Sequence, residues 1–143
     1  MKSTNLIVWL VTDDPESSKC FGLSLEKQGL ITTVLNKASD AVLRLERVKP
    51  SLIIVDLYKD GDLARGIASL LRQTGFGGKI AFVVPTANFA IRLTATKLLI
   101  SAVESRPTSP VLMVSLAQLG TNDQQKSAAP AQGFLARLFS IAA

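Results

Sequence analysis

The 143-residue sequence contains no histidine and a single cysteine, Cys20. Without imidazole the chain cannot form a histidine metal site, a Ser-His or Cys-His nucleophile pair, or a phosphohistidine donor. One cysteine excludes an internal disulfide framework and a thiolate metal cluster. Binding and chemistry are therefore left to carboxylates, hydroxyls and basic groups.

Long hydrophobic runs are also missing, so no stretch is long enough to span a membrane. The apolar run at residues 6–11 is too short for a signal peptide and is soon followed by two aspartates, Asp13 and Asp14. We therefore expect a cytoplasmic protein with no membrane partner.

Aromatic residues make up only 6% of the chain and apolar residues 48%, which predicts a mostly aliphatic core. We expect Trp9 and Cys20 to lie in it. The net charge of +5 could attract acidic partners, but the basic residues are scattered and are not interleaved with aromatics. A solvated basic surface is favoured over a nucleic-acid interface.

Strand-like and helix-like segments alternate along most of the chain. The predicted strands are residues 6–11, 30–35, 52–56, 80–84 and, more weakly, 101–105. Helices are predicted from Pro15 to about residue 29, from a Ser39 cap to Pro50, around Leu63 to Leu71, from about residue 88 to 99, and around Leu112 to Leu119.

Five βα units predict a flavodoxin-like fold, (βα)5, in which a doubly wound five-stranded parallel sheet lies between two helix layers. This domain is expected to cover residues 1–119. The polar, proline-containing segment GTNDQQKSAAPAQG, residues 120–133, has the composition of a flexible linker.

Residues 134–143, FLARLFSIAA, form a short apolar tail. A helix here would carry a broad apolar stripe, and such a short helix needs a surface on which to fold. We expect the tail to dock on a protein through Phe134, Leu135, Leu138 and Phe139; the alternative is a frayed end.

Polar side chains follow four of the predicted strands. Asp13 and Asp14 follow the first, Asp56 ends the third, Thr86 follows the fourth and Arg106 follows the fifth. In this fold class ligands bind beyond the carboxyl ends of the strands. Three carboxylates there would repel one another without a cation, and Mg²⁺ prefers oxygen ligands. A hydroxyl and a basic group beside the metal suit the oxygens of a phosphoryl group.

Four motifs in this order resemble the receiver domain of bacterial two-component response regulators over residues 5–119. They are VTDDPES (11–17), SLIIVDLY (51–58), VVPTA (83–87) and SRP (105–107). The resemblance implies that Asp13, Asp14, Asp56 and the backbone carbonyl of Tyr58 hold Mg²⁺. It also implies that Asp56 accepts a phosphoryl group from a histidine kinase or phosphotransfer protein, and that Thr86 contacts the phosphoryl oxygens.

The sequence departs from the family where phosphorylation is normally reported. Arg106 stands where the family has lysine, and Val103 where it often has an aromatic residue. A guanidinium fork is larger than an ammonium group, so it can pair in advance with Asp56, and Glu104 is another carboxylate that it could reach.

Three function classes follow. The leading one is a stand-alone receiver that is phosphorylated on Asp56 and signals by protein contact, through the face near the fifth strand or the C-terminal segment. The alternative to it is a phosphorylation-independent pseudo-receiver, an interaction module whose acidic pocket is vestigial. For Asp13 and Asp14 themselves, the alternative to metal binding is a loop start that caps the helix from Pro15. The third, a Mg²⁺ enzyme, is disfavoured because no general acid or base can be nominated, so we expect no enzyme activity.

Overall fold

The computed structural model describes residues 6–126, and their side chains as far as residue 119. Strands and helices alternate throughout this range, which confirms the predicted (βα)5 order. The elements are β1 (Ile7–Thr12), α1 (Pro15–Lys27), β2 (Ile31–Leu35), α2 (Ala38–Arg44), β3 (Leu52–Asp56), α3 (Leu63–Gln73), β4 (Lys79–Val84), α4 (Phe89–Lys97), β5 (Ala102–Ser105) and α5 (Pro110–Lys126).

The five strands form one parallel sheet in the order β2-β1-β3-β4-β5, which confirms the flavodoxin-like fold. β3 lies at the centre and all five of its residues are buried. A strand covered on both faces needs apolar side chains in both directions, which explains its unbroken run from Leu52 to Val55.

Two apolar clusters fill the spaces between the sheet and its helices. One cluster packs Trp9, Ile53 and Phe82 against α2, α3 and α4. The other packs Leu10 and Ile54 against α1 and α5. The molecule therefore has the three layers predicted from the sequence.

Cys20 is the exception among the predicted core residues, since its side chain is exposed. The buried residues of α1 are Ser18, Gly22 and Leu25, which recur at helical spacing. Cys20 lies two residues from the nearest of them and so falls on the solvent side.

Helix α2 is shorter than the sequence predicted. Lys37, not Ser39, occupies the position before its first residue and provides no side-chain cap. After Arg44 the chain turns, with the amides of Glu46 and Arg47 donating to carbonyls three residues earlier. The helix therefore ends well before Pro50.

Helix α5 is longer than predicted, because it continues past Leu119 to Lys126. The helix thus includes the first part of the segment interpreted as a linker. Helix propensity does not explain this extension, because Gln124, Gln125 and Lys126 are good helix formers but the four residues before them, GTND, are poor ones. The rest of the linker and the predicted docking residues Phe134, Leu135, Leu138 and Phe139 lie outside the described residues. No helix within the described range is long and apolar enough to span a bilayer.

Candidate functional site

Asp56 ends β3 at the carboxyl edge of the sheet, between Thr12 of β1 and Val83 of β4. Its side chain has no exposed surface. Each carboxylate oxygen has a partner: Oδ1 lies 2.5 Å from Arg106 Nη2, and Oδ2 lies 2.7 Å from the hydroxyl of Ser18. A buried charge requires such pairing, because desolvation would otherwise favour the neutral form.

Arg106 follows β5 and reaches across β4 to Asp56, which confirms the predicted pairing of its guanidinium with that carboxylate; no ion pair joins it to Glu104 in the described residues. Nη2 also donates to the Leu57 carbonyl at 2.7 Å. The Tyr58 ring stacks on the guanidinium, with 3.3 Å between Arg106 Cζ and the ring centroid. Arg106 is thus fixed by a carboxylate, a carbonyl and an aromatic face.

Beneath Asp56 lies a hydroxyl network that the sequence analysis missed. Ser18 and Thr12 are both buried, and their hydroxyl oxygens are 2.7 Å apart. An ionised carboxylate can only accept, so the Ser18 proton is directed at Asp56 and Thr12 donates to Ser18. Thr12 in turn accepts from the amide of Asp14 at 3.0 Å. The sequence feature that could have indicated this network is a serine, Ser18, on the buried side of α1.

The carboxylate of Asp13 points at the loop between β3 and α3. It accepts hydrogen bonds from the backbone N–H groups of Tyr58, Lys59 and Asp60 at 2.8, 3.0 and 3.0 Å. Three amide donors compensate its negative charge, so Asp13 holds this loop against the end of β1.

Asp14 caps helix α1. Its carboxylate accepts from the hydroxyl of Ser17 at 2.8 Å and from the Ser17 amide at 3.3 Å, while Pro15 occupies the first turn. The Ser17 hydroxyl, followed by the Ser17 amide, lowers the pKa of this carboxyl. The capping alternative from the sequence analysis is therefore confirmed for Asp14.

Tyr58 covers the outer side of the pocket. Its hydroxyl donates to the carbonyl of Ser17 at 3.2 Å, which connects the β3–α3 loop to α1. Burial raises the pKa of the phenol, and the nearby charge of Asp56 raises it further. Its backbone N–H faces Asp13.

These contacts bear directly on whether the pocket fits Mg²⁺. In residues 6–126 no group of three acidic, histidine or cysteine side chains is placed to hold a metal ion. Asp13, Asp14 and Asp56 each have separate partners, and a guanidinium already neutralises Asp56. As placed, the residues do not fit a Mg²⁺ site.

No protein-family model matches the sequence, and no curated protein does. Solved structures do match in fold. The signal receiver domain of a LuxO repressor protein from Vibrio parahaemolyticus is 14% identical, with a TM-score of 0.73 over 87% of this chain and 100% of that one. The chain has the receiver-domain fold.

Two other receiver structures support this conclusion. A CheY-like receiver domain protein from Methanospirillum hungatei is 16% identical, with a TM-score of 0.71 over 87% of this chain and all of its own. The receiver domain of a sensor histidine kinase from Pseudomonas aeruginosa is 18% identical, with a TM-score of 0.67 over 84% of this chain and 100% of that one. That protein is described with a magnesium ion coordinated in its active-site cleft.

The receiver fold places Thr86 just after β4, where its side chain is exposed. No hydrogen bond among the described residues joins it to Asp56 or Arg106. The next amide, that of Ala87, donates to the hydroxyl of Ser105 at 3.1 Å. The loop after β4 is therefore tied to the end of β5 by a serine.

Proposed function

We propose that this chain is a receiver-fold signalling module that works by protein contact without phosphorylation, that is, a pseudo-receiver. The observation that carries the proposal is the state of Asp56, which is fully buried with Arg106 on one oxygen and Ser18 on the other. A carboxylate that accepts a phosphoryl group must have one oxygen free to approach the phosphorus atom in line with the leaving group. Neither oxygen of Asp56 is free.

Opening the pocket requires that Arg106 leave both Asp56 and the Leu57 carbonyl. Separating a buried ion pair costs about 3–5 kcal/mol, and about 2–4 kcal/mol is reasonable here because 22% of the Arg106 side chain is exposed. A cost of at least about 2 kcal/mol reduces the fraction of molecules with an open pocket at least about thirtyfold. Asp56 would then be phosphorylated at least about thirtyfold more slowly than in a pocket that is already open.

The second candidate is a phosphorylated receiver, which takes a phosphoryl group from a histidine kinase or phosphotransfer protein onto Asp56. The observation in its favour is that Asp13, Asp14 and Asp56 follow neighbouring strands at one edge of the sheet. With Arg106 swung outward and Asp13 turned from the loop amides, these carboxylates could hold Mg²⁺. That hypothesis predicts a magnesium-dependent rearrangement, which the first does not.

Helix α4, beside β5, offers the surface through which a downstream protein would be bound. Phe89 is 79% exposed and Leu93 is 45% exposed, and they lie one helical turn apart. Ile91 and Ala95 face the core from the opposite side of the helix. We infer that a protein partner covers Phe89 and Leu93, since exposed aromatic and aliphatic side chains together commonly mark an interface.

The proposed role is not enzymatic, and neither nucleic acid nor a membrane is the expected partner. The expected location remains the cytoplasm. The C-terminal residues 134–143 are kept as a second docking element.

Amide NMR spectra of the full chain, recorded with and without Mg²⁺ and acetyl phosphate, test the proposal. We expect the amides of Thr86 to Leu93 and of Val103 to be unchanged by the two additives, and unchanged by Asp56→Asn apart from residues that contact Asp56. The phosphorylated-receiver hypothesis would be supported instead if the amide signals of Thr86 and Val103 shift only when Mg²⁺, acetyl phosphate and the Asp56 carboxylate are all present. Asp123→Asn, remote in sequence from the pocket, is the control for loss of one negative charge.

A further inference from the structure

A second apolar surface lies on helix α3, which shares a helix layer with α2 and α4. It is on the side of α3 that faces away from α4. Helix α3 carries Leu63, Ile67 and Leu70 at spacings of four and three residues, so they form one stripe. Leu63 is 46% exposed and Leu70 38% exposed. The stripe lies beside the buried one, which contains Ala64, Ala68 and Leu71.

The α3 stripe faces α2 rather than α4. The α4 flank of α3 is marked by Arg72, whose side chain donates to the carbonyls of Leu98 and Leu99, and by Arg65, which lines a cleft with α4 residues. On the helical wheel Leu63, Ile67 and Leu70 lie on the other flank, and α2 packs beside α3. On α2, the outward-facing Leu43 is 64% exposed. We call these four residues the α2–α3 face.

Two of the exposed charges in α2 and the turn after it flank Leu43 with opposite signs. Asp40, three residues before Leu43, is in the first turn of α2, and Arg47, four residues after it, lies in the turn that follows the helix. Both are exposed, and neither forms an ion pair in the described residues. A twofold axis through Leu43 would place Asp40 of one copy opposite Arg47 of the other, and the reverse.

From this self-complementary pattern we infer that the α2–α3 face binds a second copy of the same chain, with the two α2 helices antiparallel. Leu43 packs against its symmetry mate at the centre, the α3 stripes cover the flanks, and two Asp40–Arg47 pairs fix the orientation. A twofold interface is isologous, so each of these contacts occurs twice. The inference does not depend on the state of Asp56.

Sedimentation equilibrium of the full chain tests this assignment. We expect reversible dimerisation of the wild type. Leu43→Ser should raise the dissociation constant by about tenfold or more, because two copies of the side chain lose their burial. Leu23→Ser is the matched control, since Leu23 is 54% exposed but lies on α1, in the other helix layer. A wild-type chain that remains monomeric, or equal effects of the two variants, would overturn the inference.

Charge exchange tests the orientation. Asp40→Arg and Arg47→Asp should each weaken dimerisation, because each places like charges opposite one another at both contacts. An equimolar mixture of the two variants should form a heterodimer with both pairs restored. Failure of the mixture to associate more strongly than either variant alone would overturn the antiparallel arrangement. Asp40→Arg also removes a negative charge from the first turn of α2, where it stabilises the helix dipole. Thermal unfolding of each variant measures that loss of monomer stability separately from the loss of dimerisation.

Truncation tests the other possible occupant, the C-terminal segment. If residues 134–143 covered the α2–α3 face, removing them would expose it and strengthen self-association. We expect the truncated chain to dimerise with an unchanged dissociation constant and an unchanged response to Leu43→Ser. Stronger association after truncation would assign the face to the tail instead of a second copy.

Discussion

Arg106 places a guanidinium group at the end of β3, against the carboxylate of Asp56. It reaches Asp56, the Leu57 carbonyl and the Tyr58 ring at once. A lysine ammonium has neither the planar fork nor the flat face needed for these contacts. Asp56 is therefore already paired with a cationic side chain in this pocket.

Removing Arg106 should destabilise the protein through the charge that it leaves behind. Arg106→Met is expected to lower the free energy of unfolding by about 2–4 kcal/mol, because Asp56 stays buried without a cation. Adding Asp56→Asn should recover part of that loss, since an amide carries no charge and its oxygen can still accept from Ser18. Urea unfolding followed by the fluorescence of Trp9, the only tryptophan, measures both. Equal stability of the single and double variants would contradict this account.

Arg106→Lys tests whether the guanidinium limits coupling. If the arginine holds the pocket closed, the lysine variant should show a greater response to Mg²⁺ and acetyl phosphate than the wild type, because an ammonium group can move from Asp56 to a phosphoryl oxygen. Amide exchange near Thr86 and Val103 reports the response. A lysine variant that responds no more than the wild type would show that Arg106 is not the limiting residue.

Tyr58 provides a direct probe, because it is the only tyrosine in the chain. Its pKa is raised above 10.0, chiefly by burial and then by Asp56. The folded state thus holds the phenolic proton more tightly than the unfolded state does. Its contribution to stability is complete below pH 10 and is lost as the pH rises through the folded pKa.

Ultraviolet titration of the phenolate should therefore give a midpoint above that of the urea-unfolded chain. Between the two midpoints the wild type should lose stability with rising pH faster than Tyr58→Phe. A folded-state midpoint at or below the unfolded value would show that the ring is not covered as described.

At the scale of helices and strands, periodicity predicted the fold because each element repeats its pattern several times. The run at residues 52–55 predicted a strand buried on both faces, and the alternation of strands and helices predicted a parallel sheet with helices on both faces. The ends of helices depend on single interactions, and there the prediction failed. Ser39 could have capped α2, yet the helix begins before it, and α5 continues through GTND, residues 120–123, whose helix propensities are low.

At the site, too, the sequence predicted the features that depend on the order of the strands but not those that depend on single contacts. The sequence located Asp56 and Arg106 at one edge, because the strand order brings their strand ends together. It did not identify Ser18, since the direction of one hydroxyl depends on how α1 packs on the sheet. Nor could it determine which way the Asp13 carboxylate points, because loop amides and a metal compete for the same oxygens.

Two glycines of α3 offer a paired test at the scale of one helix. Gly66 lies mid-helix, and a Cβ added there would meet no atom within 4 Å, so Gly66→Ala should stabilise the protein by about 0.5–1 kcal/mol. Gly75 follows the helix with φ of +95°, so Gly75→Ala should destabilise it by about 1 kcal/mol or more. Urea unfolding measures the stability of both variants. If both substitutions stabilise the protein, or both destabilise it, the described end of α3 is contradicted.

At the scale of the whole molecule, the sheet and the two apolar clusters found in residues 6–119 are built from residues between Leu6 and Ala117. Deleting residues 134–143 should leave the free energy of unfolding unchanged within about 0.5 kcal/mol, measured by urea unfolding. If the tail docks on a protein partner, the truncated chain should bind that partner more weakly than the full chain does. A large loss of stability on truncation would show that the tail belongs to the folded domain.

The central claim is that Arg106 and Ser18 close Asp56 to phosphorylation. Intact-mass measurement after incubation with saturating Mg²⁺ and acetyl phosphate tests it most directly. We predict no added phosphoryl group on the wild-type chain under conditions in which Arg106→Ala, which leaves Oδ1 of Asp56 without its ion-pair partner, gains one. A wild-type chain that gains one phosphoryl group, and loses that gain in Asp56→Asn, would contradict the account.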